Sequence, residues 1–591
     1  MRFVADLETD GFLSTLTKIH CIALLDVDNP ANAKLYGPDE INQAIEIMQN
    51  ASMLAFHNGT TFDVPAIKKL YPDFDTDRID LVDTLVLSRL IHSDIKNEDA
   101  LGQFKGNDTF PRRLFGSHSL EAWGYRLGVL KGDFGKQTDW SVYTPEMGQY
   151  CLQDVIVCHK LLLHLQPEKW SQQAIKFEHE IAEICNRIGT AGWTFDMNKA
   201  ASLYAQLALE RSSLEDELQS LFPSWTVETD FVPKVNNSKL GYVKGETFIK
   251  KREIQFNPNS RKHIEYCLRQ KYGWKPKQFT PAGDAKIDET TLSELHYPEA
   301  KKLARSFMLQ KRLGQLAEGK NAWMKLADGD DKLRHTINPL GTVTGRASSF
   351  GPNLQQVPAT RAEFGKQCRE LFTVPPGQFL VGSDLAGIEL RCLAHFLPDG
   401  GEYGRLILNG DIHQTNADKM GVDRETAKRV QYATLYGSGD ARLGQIIGKG
   451  AKEGRELKEA YFKALPAFAT LLRQVKTVVR QRGHLLGLDG RRLPVRSEHA
   501  ALNVLLQSAG ALIAKKWVQL IDHKIKEHGV NATLLAWVHD EVQCSVVNEK
   551  EAEFVGNNIL RGCAEEAGKA WQFKIPIEAS YSVGRTWADT H

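Results

Sequence analysis

The sequence predicts a multidomain α/β protein, and three observations carry that expectation. At 591 residues the chain is too long for one hydrophobic core, and chains of this length split into several domains. Apolar strand-like runs alternate with helical runs up to about residue 165 and again after Lys320, which is the pattern of α/β folds. The stretch between them differs: 171–221 is helical and charged, and 232–277 carries twelve Lys or Arg against three Glu.

Taken in order, RFVADLETDG opens on a strand, CIALLDV is a second, and SMLAFHNGTTFDV is a third that breaks at Asn58 and Gly59 before turning helical. Asp6 and Glu8 are two residues apart, so a strand points both carboxylates to one face. Asp63 follows in NGTTFD and Asp154 in YCLQD, with Tyr150 one helical turn before Asp154. One acid of this kind is ordinarily an exposed cap or turn residue. Four of them with a tyrosine can hold two Mg²⁺ ions and orient a water for in-line attack on a phosphodiester.

The basic segment reads either as a phosphate-facing surface or as a solvated loop. Overall charge does not decide between them, since 74 Lys and Arg balance 73 Asp and Glu to leave +1, and phosphates bind to patches, not to totals. Nine scattered cysteines without C-x-x-C spacing argue against a disulfide framework or a zinc knuckle and suit a reducing cytosol. No basic segment followed by a long apolar run opens the chain, and no apolar run reaches spanning length, so neither export nor membrane insertion is expected.

In the last third, LLAWVHDEVQ (Leu534 to Gln543) reads as a buried strand with Asp540 and Glu541 in its middle. A carboxylate out of water is costly unless paired or metal-bound. Asp384, at the end of the apolar strand FLVGSD, is the natural partner, because two hard cations between Asp384 and Asp540 would neutralise both. The less favoured reading of Asp384 by itself is a cap for the helix that follows. In DRETAKRVQYATLYGSGD, Arg424, Lys428, Tyr432 and Tyr436 recur every four residues along one helix ending at Gly437. Two cations followed by two aromatics suit a triphosphate with its sugar or base, although a solvated helix carries such residues too.

These segments resemble a known family. DLAGIELR from Asp384, R-x-x-x-K-x-x-x-Y-x-x-x-YG from Arg424 and HDE at His539 are similar to motifs A, B and C of family A DNA polymerases, nearest to the replicative branch of T-odd, T-seven-like bacteriophages. TVTGRASSFGPNLQQVP, NGDIH, LLGLDGRRLPVRS and ALNVLLQSAGA match further blocks, and the first carboxylate set resembles the D-x-E, N-x-x-x-D and Y-x-x-x-D motifs of proofreading 3′–5′ exonucleases. The chain departs from the usual D-Y-S-Q-I-E at Leu385, Ala386 and Gly387, which leaves the acid positions intact.

The resemblance implies an RNase H-like exonuclease domain over 1–170 and a right-hand polymerase. Its parts would be a thumb over 171–320 with a short basic insertion at about 224–255, palm over 321–410, fingers over 411–480 and a second palm segment over 481–591. Asp384 and Asp540 would hold two catalytic Mg²⁺ ions with Glu541 adjacent, and Asp6, Glu8, Asp63 and Asp154, with Tyr150, would serve two more. His413, Arg424, Lys428 and Tyr432 would hold the nucleotide, Tyr436 would pack beside the templating base, and His539 belongs to the same substrate surface. Glu389 would exclude a ribose 2′-hydroxyl, and Arg346 and Gln507 would contact minor-groove acceptors present for every correct pair. Primer-template DNA, dNTPs, a replisome helicase-primase and a processivity factor are the implied partners, in a host cytoplasm. In the phage relatives a long basic thumb insertion binds thioredoxin. The segment here is much shorter, so this thumb is expected to hold duplex DNA without it. A DNA nuclease whose C-terminal region only binds DNA is the alternative reading.

Overall fold

The computed structural model describes all residues except 103–109, 133, 137–138, 328 and 399–400. It divides into two compact units, one made of 1–193 with 334–591 and the other of 194–333.

The larger unit begins with a five-stranded sheet. Its strands lie in the order Ala33–Tyr36, Ile19–Asp26, Arg2–Thr9, Met53–Phe56, Asp80–Asp83; Ile19–Asp26 is antiparallel to both of its neighbours, and the last two strands run parallel to Arg2–Thr9. The alternation read in RFVADLET sorts this strand between two cores. Phe3, Ala5 and Leu7 pack with Ile41, Met48 and Ile67 on one side, and Val4 packs with Cys151, Val155 and Leu161 on the other. The covering helix, Pro145–Leu165, starts where Thr144 accepts from the Met147 N–H and where Pro145 takes a position that needs no amide donor. Ala33–Tyr36 and Asp80–Asp83 are short strands that the sequence patterning did not reveal.

A second sheet, fully antiparallel, has the order Ala532–Val538, Glu541–Val546, Phe379–Leu385, Ala579–Gly584. The 27-residue helix Ala501–Glu527 backs it within a large core that includes Leu385, Leu512, Trp517, Val542 and Ile559. Here one expectation is corrected. LLAWVHDEVQ is not one strand: it breaks at His539 and Asp540 into a hairpin. His539 has φ +59, a conformation that histidine tolerates better than most side chains, and the uniformly apolar run hid the turn. Asp384 lies inside the strand Phe379–Leu385, and the following helix is capped at Gly387, so Asp384 is not its cap.

The helical run read over 171–221 is two helices, Gln172–Ala191 and Met197–Leu221, interrupted by Gly192 and the short strand Trp193–Phe195. Within the smaller unit, the helices Met197–Leu221, Arg261–Tyr272 and Pro298–Leu313 enclose Leu218, Phe256, Ile264, Leu268 and Leu303. The basic segment is no shapeless loop. Trp225–Phe231 pairs with Phe248–Ile254 in an antiparallel ribbon from Trp225 opposite Ile254 to Phe231 opposite Phe248. Phe231, Tyr242 and Phe248 form an aromatic cluster, with Lys250 Nζ 3.5 Å from the Phe231 ring. All nine cysteines of the chain are buried free thiols, and no described helix is long and apolar enough to cross a membrane.

Candidate active sites

The period-2 rule that sends Val4 toward the helix Pro145–Leu165 sends Asp6 and Glu8 the same way. Their carboxylate oxygens and Cys151 Sγ lie within 4.8 Å of one another. Tyr150 and Asp154 stand on that helix, and Asp63 opens the helix Asp63–Leu70. All five residues predicted from the sequence thus come from the elements surrounding one point. A sixth was not predicted: Lys131 donates to Asp154 Oδ2 and lies 4.5 Å from the Tyr150 ring. Nothing in the spacing around Lys131 signals this.

The acids strain against one another. Burial, then Asp154 and Glu8, push Asp6 far above the usual carboxylate range. Burial and then Asp154 push Glu8 up to about 9. Burial and then Asp83 take Asp63 to about 7, while burial lifts Asp154 to about 6 against the pull of Lys131. Asp154 Oδ1 is buried with no hydrogen-bond partner among the described residues. Four carboxylates with an unsatisfied acceptor fit hard divalent cations, and Cys151, whose thiol burial pushes well above its ordinary value, stays protonated beside them.

A stability prediction follows from the signs. Each raised acid binds more protons folded than unfolded between about 4 and its folded value, so its contribution is complete below about 4 and is lost as pH rises through the folded pKa. With divalent ions chelated, the urea midpoint is therefore expected to fall between pH about 6 and about 9. The combined Asp6→Ala and Glu8→Ala change should flatten that fall, and added Mg²⁺ should oppose it. A chelated protein equally stable across this range would contradict the assignment.

The second site sits where two strands end. Asp384 is directly opposite Glu541 in the ladder, and Leu385 N–H donates to the Asp540 carbonyl at 2.9 Å. Burial, then Glu541 and Asp540, raise Asp384 to about 7; burial and then Glu389 raise Asp540. Glu541 behaves differently. Burial pushes it up, but His591, Arg369 and Trp587 outweigh burial and hold it below its ordinary value. Its Oε1 accepts from Gln543 Nε2 at 2.8 Å and from Trp587 Nε1. Its Oε2 lies 3.0 Å from His591 Nδ1, which is also 3.8 Å from Asp384 Oδ2. Arg369 stands 3.6 Å from Glu541 and 4.4 Å from the Trp587 ring. Of these partners only Gln543 was legible, two residues along the same strand and so on the same face.

Glu389 closes the other side: its Oε1 accepts from the Tyr436 hydroxyl at 3.3 Å and lies 3.6 Å from Arg346 Nη2. A cavity of about 120 Å³ is lined by Arg346, Glu389, His539 and Asp540 among others. Gln507 Oε1 accepts from the Thr344 hydroxyl at 3.4 Å, so Gln507 and the loop carrying Arg346 meet. The predicted stripe runs along the helix Arg424–Leu435, which Tyr436 terminates before Gly437 at φ +75. The Tyr432 ring stands 6.1 Å from that of His413 and 6.5 Å from that of Tyr436. Arg424 is held by Asp411 at 2.6 Å, and His413 Nδ1 is 2.9 Å from Gln431 Oε1. Lys428 is half-buried, with no hydrogen bond or ion pair among the described residues.

Two acidic clusters, each on its own sheet and each suited to divalent cations, define an enzyme of the phosphoryl-transfer class with two separate centres. The chain belongs to DNA polymerase family A, whose profile matches residues 237–589, and residues 3–105 match the RNase H superfamily. It is 34% identical to the DNA-directed DNA polymerase of Escherichia phage T7 over the whole of both chains, and 33% identical to that of Enterobacteria phage T3, again over the whole of both. DNA polymerase I of Aquifex aeolicus is 25% identical over 93% of this chain and 98% of its own. The fold matches the POL domain of Pol1 from M. smegmatis, solved in complex with DNA primer-template and dNTP, at a TM-score of 0.75 and 18% identity over 100% of this chain and 96% of that one. The chain is thus a DNA-directed DNA polymerase carrying an RNase H-like exonuclease domain, and the reading as a nuclease with a merely DNA-gripping C-terminal region is not favoured.

Proposed function

We propose that this polymerase replicates a phage genome in the host cytoplasm, extending a primer with dNTPs at the Asp384–Asp540 centre and removing mispaired 3′ ends at the Asp6–Glu8–Asp63–Asp154 centre. The observation that carries this is the meeting of Asp384 and Asp540 at adjoining strand ends, where the Leu385 N–H bonds the Asp540 carbonyl at 2.9 Å and Asp384 lies opposite Glu541 in the ladder. Two Mg²⁺ ions at each centre, when bound, supply Lewis acidity and neutralise developing phosphate charge. Asp384 and Asp540 would hold one pair, and the four acids of the first set the other, with Tyr150 orienting the attacking water.

The chain's own groups do the positioning. Lys428 is an uncommitted cation available for a triphosphate, and Arg424 exchanges Asp411 for phosphate at little cost because both are exposed. Tyr432 and His413 frame the sugar, and Tyr436 packs beside the templating base. Arg346 and Gln507 contact the primer-end pair, and His539 shapes the cavity at the turn. Glu541, already saturated by four partners, anchors the strand end and is a weaker ligand than Asp384 or Asp540. The proposed domains are an exonuclease domain over 1–170, a thumb over 171–320, palm over 321–410 and 481–591 and fingers over 411–480, with the thumb ribbon tracking phosphates through Lys250, Lys251 and Arg252. Because the ribbon has its own ladder and aromatic cluster, the thumb holds duplex DNA without thioredoxin; a helicase-primase remains the replisome partner. A Mg²⁺-dependent primer-extension assay tests the whole reading. Absence of template-directed extension would sink it.

Glu389→Ala is expected to admit ribonucleotides. The carboxylate held by Tyr436 and Arg346 fills space beside Asp540, and losing one steric contact changes discrimination by about 10- to 200-fold. Competition between dNTP and rNTP measures it, and an unchanged ratio would remove Glu389 from this role.

A further inference from the structure

Beside the first carboxylate set lies a cleft of about 770 Å³, lined by His57, Asn58, Arg89, His118, Lys131 and Tyr150 among others. Lys131 joins this cleft to the metal-suited cluster, because the same ammonium holds Asp154. Arg89 is the unusual member. It sits on the helix Thr84–Ile91, whose Thr84, Val86, Leu87, Ser88 and Leu90 are buried, and with Leu85 it turns toward the cleft, as the one charged side chain of that helix.

Arg89 has no hydrogen bond or ion pair among the described residues. Asp83, the acid that acts on it electrostatically, is already spent. Its Oδ1 accepts from the N–H groups of Asn58 and Leu85, each at 2.9 Å, and its Oδ2 from that of Thr60 at 3.1 Å. Glu121, another acid on the cleft wall, is forked by Arg113 at 2.6 and 3.2 Å. His57 and His118 are each tied through Nδ1, to Thr84 Oγ1 at 2.9 Å and Ser88 Oγ at 3.1 Å. A half-buried guanidinium with no anion of its own, on a wall leading to a hydrolytic centre, is a vacant fork for a phosphate.

We propose that Arg89 is a positioning residue of the exonuclease centre that grips one phosphodiester of the single-stranded 3′ segment upstream of the cleaved bond. This rests on the exonuclease reading above. The guanidinium would set how far the strand advances toward Asp6 and Glu8, and no bond is made or broken at it.

The test uses the full chain and single-stranded oligonucleotides in which one linkage at a time, second to fourth from the 3′ end, is an uncharged methylphosphonate. One of these should lower kcat/KM for nucleotide release on the order of tenfold. Arg89→Gln should cost about the same on the natural strand and nothing further on that modified one, while Arg89→Lys recovers part of the loss. Equal losses for Arg89→Gln at every linkage, adding to the methylphosphonate effect, would overturn the proposal. Binding of the natural oligonucleotide to chelated Asp6→Ala protein, read by fluorescence anisotropy, separates the two levels. Weaker binding after adding Arg89→Gln supports the phosphate grip even if no hydrolysis is found, whereas unchanged binding refutes it although hydrolysis persists.

Discussion

Asp384→Ala or Asp540→Ala is expected to lower primer extension by well over about a hundredfold, the most that losing a mere outer-shell partner costs, while single-strand degradation stays near its original rate. Combined Asp6→Ala and Glu8→Ala should do the reverse. The two sets share no residue and no sheet: one is built on Arg2–Thr9 and the helix Pro145–Leu165, the other on the strand ends at Asp384 and Asp540. Each alanine also relieves a crowded carboxylate, since burial and then Glu541 and Asp540 raise Asp384, and burial and then Glu389 raise Asp540. The inactive variants should therefore fold at least as stably when chelated, and this separates loss of chemistry from loss of structure. Extension and degradation measured on the same preparations decide it, and one substitution removing both activities would refute the division.

Much of this was legible because strand and helix periods are short-range rules. Asp6 and Glu8 on one face, and Tyr150 with Asp154 one turn apart, follow from spacing of two and four, and the Arg424 to Tyr436 stripe follows in the same way. What escaped depends on long-range folding or on a turn without punctuation. His591 reaches Glu541 from fifty residues away, and Lys131 reaches Asp154 from a segment with no periodic signal. The hairpin at His539 and Asp540 lacks the glycine or asparagine that ordinarily announces such a turn, so two strands read as one. The ribbon at Trp225–Phe231 and Phe248–Ile254 was masked by its charge: its outward residues are mostly exposed on both strands, and composition speaks for solvent before it speaks for pairing.

The largest expected loss of stability comes from a site with no part in the chemistry. Glu178, fully buried on the helix Gln172–Ala191, accepts at one oxygen from both Arg491 and Lys515, and Arg491 also holds Asp489. Two cations and two acids balance, so the cluster is tolerable in a core. Glu178→Ala would leave Lys515, itself fully buried, without an anion, and breaking a buried pair in this way costs about 3–5 kcal/mol. Burial already holds the Lys515 amine down to about 8 from 10.5. Between those values the folded protein binds fewer protons than the unfolded chain, so the penalty for keeping Lys515 charged applies fully below about 8 and eases as pH rises toward 10.5. The variant's deficit should therefore be larger at neutral pH than at pH about 9.5, because an amine without Glu178 loses its proton still more readily. The consequence reaches the polymerase centre. A side-chain carbon on Gly345, at φ +78, would come within 2.9 Å of Arg491 Nη1, so Arg491 supports the turn that presents Arg346 to Glu389. Extension should suffer more than degradation when urea or heat is applied to Glu178→Ala. Urea titrations at the two pH values, followed by both activity assays, measure this. A deficit that is small or independent of pH would show that the cluster is not what holds this turn.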